Sequence, residues 1–142
     1  MSIKPILIVS GEPNSIFLEI FFKSIKKIKI KNPLILISSE NILKKQMKKL
    51  KFKKNIRLID HKNFDHKKLN NKSINLINVN YNQKKAFDKI SKKSNKFIEN
   101  CFKIAFELIK QKKIYKLING PISKKNFLKK DCLGMTEYIS KK

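Results

Sequence analysis

The residues best suited to chemistry lie near the end of the chain. Leu117-Ile118-Asn119-Gly120-Pro121-Ile122-Ser123-Lys124 carries an apolar run into a Gly-Pro turn with an amine just past it. Gly134-Met135-Thr136-Glu137-Tyr138 follows, placing a hydroxyl, a carboxylate and backbone N–H groups in one small turn. A lysine ammonium is a compact cation that pairs with phosphate or carboxylate. Turns at the C-terminal ends of parallel strands are where α/β sheets present ligands. The expected chemistry is binding of a small anionic molecule, with Lys124, Met135 and Thr136 as candidate contacts, Met135 contributing only soft apolar surface. Each also has a plain structural role to play. Lys124 is one of 34 lysines, and Thr136 would cap a helix that starts beside it.

Ser10-Gly11-Glu12-Pro13-Asn14 makes an earlier corner of the same kind, after the run Ile6-Leu7-Ile8-Val9. It holds one glycine, so it matches neither a dinucleotide fingerprint nor a P-loop. Asp60-His61 and Asp65-His66 superficially resemble metal ligands. Neither helical nor strand periodicity brings the two imidazoles together, and a solvated loop is expected. Cys101 and Cys132 form no CxxC pair or zinc spacing and are expected to be reduced structural residues. No Ser-His-Asp or Cys-His arrangement is present.

The elements that must position these residues follow from hydrophobic pattern. Ile6–Val9 and Leu34–Ile37 are continuous apolar runs, as expected for strands buried in a parallel sheet, while Ile56–Ile59, the imperfectly alternating Ile74–Val79 and Ile114–Ile118 suggest three further strands. A helix is predicted from Ser15 to Ile25, capped by Asn14 or Ser15, and another from about Ser39 to Leu50. Residues 60–73 read as loop. Phe87, Ile90, Phe97, Ile98, Cys101, Phe102, Ala105, Leu108 and Ile109 recur at helical spacing and predict a long amphipathic helix from Gln83 to Lys113, broken near Ser91 to Ser94. Alternating strands and helices give a three-layer α/β fold with a largely parallel sheet, one region spanning residues 1–142.

Composition sets further bounds. The net charge of +25 suggests nucleic acid, yet Arg57 is the single arginine and the lysines are spread along the whole chain. Nucleic-acid surfaces favour arginine for bidentate and stacking contacts, so no specific nucleic-acid partner is expected. The joint enrichment in Lys, Asn and Ile reads as drift toward A/T-rich codons. A small basic protein that binds RNA or another polyanion is the alternative reading. No run approaches the length of a membrane span, no export signal is evident, and the cytoplasm is the default location.

Taken in order, these pieces resemble the N-terminal part of the 4-hydroxythreonine-4-phosphate dehydrogenase family. Ile6 to Ile20 looks like the family's opening strand and its Gly-(Asp/Glu)-Pro-Ala-Gly-Ile-Gly-Pro-Glu loop. Asn119-Gly120-Pro121-Ile122-Ser123-Lys124 looks like its (Gly/Ala)-Pro-x-x-Lys turn, and Gly134-Met135-Thr136-Glu137-Tyr138 its Gly-His-Thr-Glu-(Phe/Tyr) motif. Met135 stands where the family has histidine. The resemblance implies the first part of an isocitrate/isopropylmalate dehydrogenase-like fold. It also implies oxidation of phosphorylated 4-hydroxythreonine with NAD(P) and a divalent metal, followed by decarboxylation, in pyridoxal phosphate biosynthesis. The family works as a homodimer with its site between subunits. Its metal-binding histidines fall farther along than residue 142, so the resemblance implies an incomplete chain, inactive alone, or one completed by a missing C-terminal half. His61 and His66 do not correspond to those ligands, and no catalytic, cofactor or metal residue is assigned here. The reading requires Gly11-Glu12-Pro13 and Gly120-Pro121 to sit at the tips of neighbouring parallel strands.

Overall fold

A computed structural model describes residues 3–111, 114–128 and 132–142. Strands β1 (Ile6–Val9), β2 (Leu34–Ser38), β3 (Ile56–Leu58), β4 (Ile74–Asn78) and β5 (Lys116–Asn119) form one sheet in the order β3-β4-β2-β1-β5. Every pairing is parallel. The central strands are apolar at successive positions because both faces are covered. Ile8, Leu36 and Leu76 meet Leu18, Phe22 and Leu43 from helices α1 (Phe17–Lys27) and α2 (Glu40–Lys49). Leu7, Val9, Ile35, Ile37 and Ile77 meet Phe97, Ile98, Cys101, Phe102 and Leu108 from helix α3 (Asn95–Lys110). Each of these fully buried side chains contributes about 1.5–3 kcal/mol.

Chain reversal follows from this layering. β1–α1–β2 and β2–α2–β3 advance along one face of the sheet, whereas β4–α3–β5 returns along the other, as right-handed crossovers require. The segments leaving β1 and β2 therefore turn to one face, and those leaving β4 and β5 to the opposite face. The strand order switches direction at the β1/β5 and β2/β4 boundaries, the places where such sheets open to ligands.

Three local expectations are corrected. Residues 83–91 are not helical; a single 3-10 turn at Lys92–Ser94 precedes α3. Tertiary hydrogen bonds hold that stretch irregular: Gln46 Nε2 donates to the Ala86 carbonyl and Asn14 Oδ1 accepts from the Asp88 N–H. The expected helix end at Lys112-Lys113 lies outside the described residues. Asn14 does not cap α1, whose first-turn N–H at Phe17 is instead reached by Ser15 Oγ at 3.2 Å, with Ile16 at the N-cap position. Thr136 is not the N-cap either, since helix α4 (Met135–Ser140) has Gly134 at that position and Thr136 lies within its first turn. The prediction for α2 matches: Ser39 Oγ accepts from Ile42 N–H at 3.3 Å and donates to the Tyr81 carbonyl at 2.6 Å.

Candidate functional site

The two expected corners lie side by side. β1 pairs with β5 in the register Val9 with Asn119. Beyond it, Gly120 N–H donates to the Val9 carbonyl at 2.7 Å and Glu12 N–H to the Pro121 carbonyl at 2.8 Å. Gly11 has φ +71°, a conformation open to glycine, and an added Cβ would sit 2.4 Å from the Pro121 oxygen. A Cβ on Gly120 would sit 2.1 Å from the Ser10 oxygen and 2.9 Å from the Phe17 ring. Both glycines thus serve the contact of one loop with the other, and neither opens a cradle to solvent.

Glu12 anchors this corner from within. It is 3% exposed; its Oε2 accepts from Ser94 Oγ at 2.7 Å and its Oε1 from Asn14 N–H at 3.2 Å. Ser94 precedes α3, so the carboxylate ties the first loop to the helix on the opposite face. Gln46 of α2, fully buried, donates to the Pro13 carbonyl at 2.8 Å and the Ala86 carbonyl at 2.9 Å. Tyr81 stands beside this web; burial raises its phenol above the ordinary value, and the charges of Glu12 and Asp88 add to the rise. Gln46 and Ser94 were not singled out from sequence. The usable signal was one uncharged amide on the buried face of a lysine-rich helix.

The second group is built on α3. Ser123 accepts Phe127 N–H at its carbonyl (2.8 Å) and Asn126 N–H at its hydroxyl (3.2 Å), and Asn95 Nδ2 holds the Asn126 carbonyl at 2.7 Å. This turn leaves Lys124 exposed and buries Phe127, whose ring lies 5.3 Å from Tyr138 of α4. Tyr138 also packs edge-on against Phe102 at 5.7 Å, and its phenol is raised by burial, then by Glu99 and Cys132. Glu137 accepts from Leu133 N–H and steadies the start of α4. Met135 is half-buried and packs on the α3-side core, while Thr136 is exposed. Phe127 and Tyr138 therefore bring the Lys124 turn and the Thr136 turn onto one patch of α3.

The donor set does not fit a divalent metal: among the described residues no three of His, Cys, Asp and Glu gather. His61 and His66 lie on the β3–β4 connection, His66 with its ring 4.8 Å from Phe64. A nucleotide cradle does not fit Gly11 and Gly120 either, because each is closed by backbone. A small cavity of about 40 Å³ lined by Phe21, Ile25, Leu34, Asn71 and Asn75 lies under the amino ends of the strands, at the far end of the sheet.

A five-stranded, all-parallel sheet wound in both directions, with helices on both faces, defines a three-layer α/β protein. The model of the family described as Pyridoxal phosphate biosynthetic protein PdxA matches residues 29–142, and the chain belongs to that family. No curated protein sequence matches it. Among solved structures, it is similar to a 4-hydroxythreonine-4-phosphate dehydrogenase from Burkholderia phymatum, with 18% identity and a TM-score of 0.80 over 97% of this chain and 43% of that one. A 4-hydroxythreonine-4-phosphate dehydrogenase from Klebsiella pneumoniae gives 19% identity and a TM-score of 0.81 over 97% of this chain and 44% of that one. The chain thus spans less than half the length of these proteins, and the likeness to them establishes the fold.

Proposed function

We propose that this chain supplies the substrate-facing α/β unit of a dehydrogenase that oxidises 4-phosphooxy-threonine with NAD in pyridoxal phosphate biosynthesis. The observation that carries the reading is the family match over residues 29–142, together with the two corners meeting at the β1/β5 switch point. In this reaction the substrate's secondary alcohol gives up a hydride and a proton to become a ketone, and the β-keto acid then loses carbon dioxide. Lys124 pairs with the phosphate, the Thr136 hydroxyl hydrogen-bonds a polar group of the substrate, and Met135 offers an apolar edge.

NAD(P) and a divalent metal are the family's reagents, and the residues described here do not fit them, so no step is assigned through either. The working enzyme therefore needs further polypeptide, from a second copy in a homodimer or from a separately supplied C-terminal half. Among the described residues no helix is long and apolar enough to cross a membrane, and a cytoplasmic location agrees with the reading.

Two measurements test this. The purified chain, given NAD, a divalent metal and phosphohydroxythreonine, is expected to form no NADH above background; turnover overturns the predicted inactivity. Calorimetric titration with phosphohydroxythreonine is expected to show saturable binding that Lys124→Ala weakens about tenfold, some 1.4 kcal/mol. Absence of saturable binding overturns the substrate reading.

A further inference from the structure

We infer that Asn95, the first residue of α3, is a positioning residue whose side-chain amide sets where Lys124 stands relative to Thr136. This rests on the substrate reading above and names the group that readies its phosphate contact.

Lys124 is exposed, and among the described residues its ammonium forms no ion pair. A lysine is a point charge on a flexible stem, so its backbone decides which ligand oxygens it can reach. Within the turn, Ser123 Oγ accepts from the Asn126 N–H at 3.2 Å and from Asn126 Nδ2 at 3.0 Å. Those bonds shape the turn without fixing it in place. Among the described residues, one hydrogen bond fastens Lys124–Asn126 to the rest of the molecule: Asn95 Nδ2 donates to the Asn126 carbonyl at 2.7 Å. The amide cannot be turned over, because its oxygen would then face that carbonyl. Asn95 Oδ1 is left buried with no partner. A buried acceptor without a donor weakens a fold, so stability alone does not explain an amide here, whereas placement of the turn does.

The start of α3 is itself well held. Ser94 Oγ donates to Glu12 Oε2 at 2.7 Å and so ties Asn95 to the first corner. Phe102 lies two helical turns farther on, about 10 Å along the same face. Its ring packs against Phe127 at 6.5 Å and against Tyr138 of α4 at 5.7 Å. One face of α3 therefore holds the Lys124 turn through Asn95 and Phe102, and the Thr136 helix through Phe102. Loss of the Asn95 amide frees the lysine while leaving the threonine in place.

Calorimetric titration of phosphohydroxythreonine into the native chain, Asn95→Ala, Lys124→Ala and the double variant makes the test, with Asn95→Gln as the conservative control. Asn95→Ala is expected to weaken binding about fivefold in the native background and less than about twofold beside Lys124→Ala. Asn95→Gln, which keeps a donor, is expected to recover most of the affinity. Backbone relaxation without ligand is expected to show the amides of Lys124 and Lys125 loosened by Asn95→Ala and those of α3 unchanged. Unchanged affinity in Asn95→Ala, an equal loss in both backgrounds, or no loosening of the turn overturns the inference while the substrate reading stands. No saturable binding by the native chain overturns that reading, and this inference with it.

Discussion

Gly11 and Gly120 interlock across the β1/β5 boundary, each leaving no room for a side chain because the other's loop backbone fills the space. Gly11→Ala adds a clash to a positive φ, and Gly120→Ala drives a methyl onto the Ser10 carbonyl. Each is expected to cost about 2–4 kcal/mol in chemical denaturation. Because the two share one contact, the double variant should lose less than the sum. Near-neutral single variants would show that the loops do not meet.

The Glu12–Ser94 bond at 2.7 Å joins the first corner to α3. Ser94→Ala is expected to cost about 1 kcal/mol, and Glu12→Ala about 1–3 kcal/mol, since it leaves the Ser94 hydroxyl and the Asn14 N–H without their acceptor. A double-mutant cycle should return a clear coupling energy. Strict additivity would break the proposed link.

Much of this arrangement was legible in the sequence, and particular residues show where legibility ended. Continuous runs such as Ile6–Val9 and Leu34–Ile37 announced strands covered on both faces, the imperfect alternation of Ile74–Val79 announced a further strand, and Ser39 announced the start of α2. Phe87 and Ile90 misled because helical spacing cannot report that Gln46 and Asn14, distant in sequence, claim the backbone of that segment by hydrogen bonds. Asn14 was a reasonable cap by residue type and was diverted by the same contacts. The family match starts at Lys29, beyond the opening loop, whose Asn14-Ser15-Ile16-Phe17-Leu18 lacks the family's further glycines; there the likeness survives in fold. Met135, which stands where the family has histidine, is half-buried and packs on the α3-side core, a placement its apolar residue type makes legible.

Tyr138 gives a pH dependence with a defined sign. Burial, then Glu99 and Cys132, raise its phenol above the unfolded value of 10.0. Its contribution is complete below about pH 10 and is lost as pH rises further, because the unfolded chain ionises first. Since the lysines also titrate there, the informative quantity is the stability difference between the native chain and Tyr138→Phe. That difference should shift against the native chain above pH 10. A flat difference contradicts the burial of the phenol.

Burial pushes the Cys101 thiol up and encloses it among Phe97, Ile98 and Phe102, whereas Cys132 is partly exposed. A thiol reagent at neutral pH is expected to modify Cys132 readily and Cys101 only on unfolding. Equal rates for the two would place Cys101 outside the core.

Amide chemical shifts recorded while phosphohydroxythreonine is titrated into the labelled chain test the account at its centre. The largest changes are predicted at Gly120–Lys124 and Gly134–Glu137, reduced by Lys124→Ala. Changes spread over the lysines of α3, and matched by an unrelated polyanion at equal charge, would contradict it.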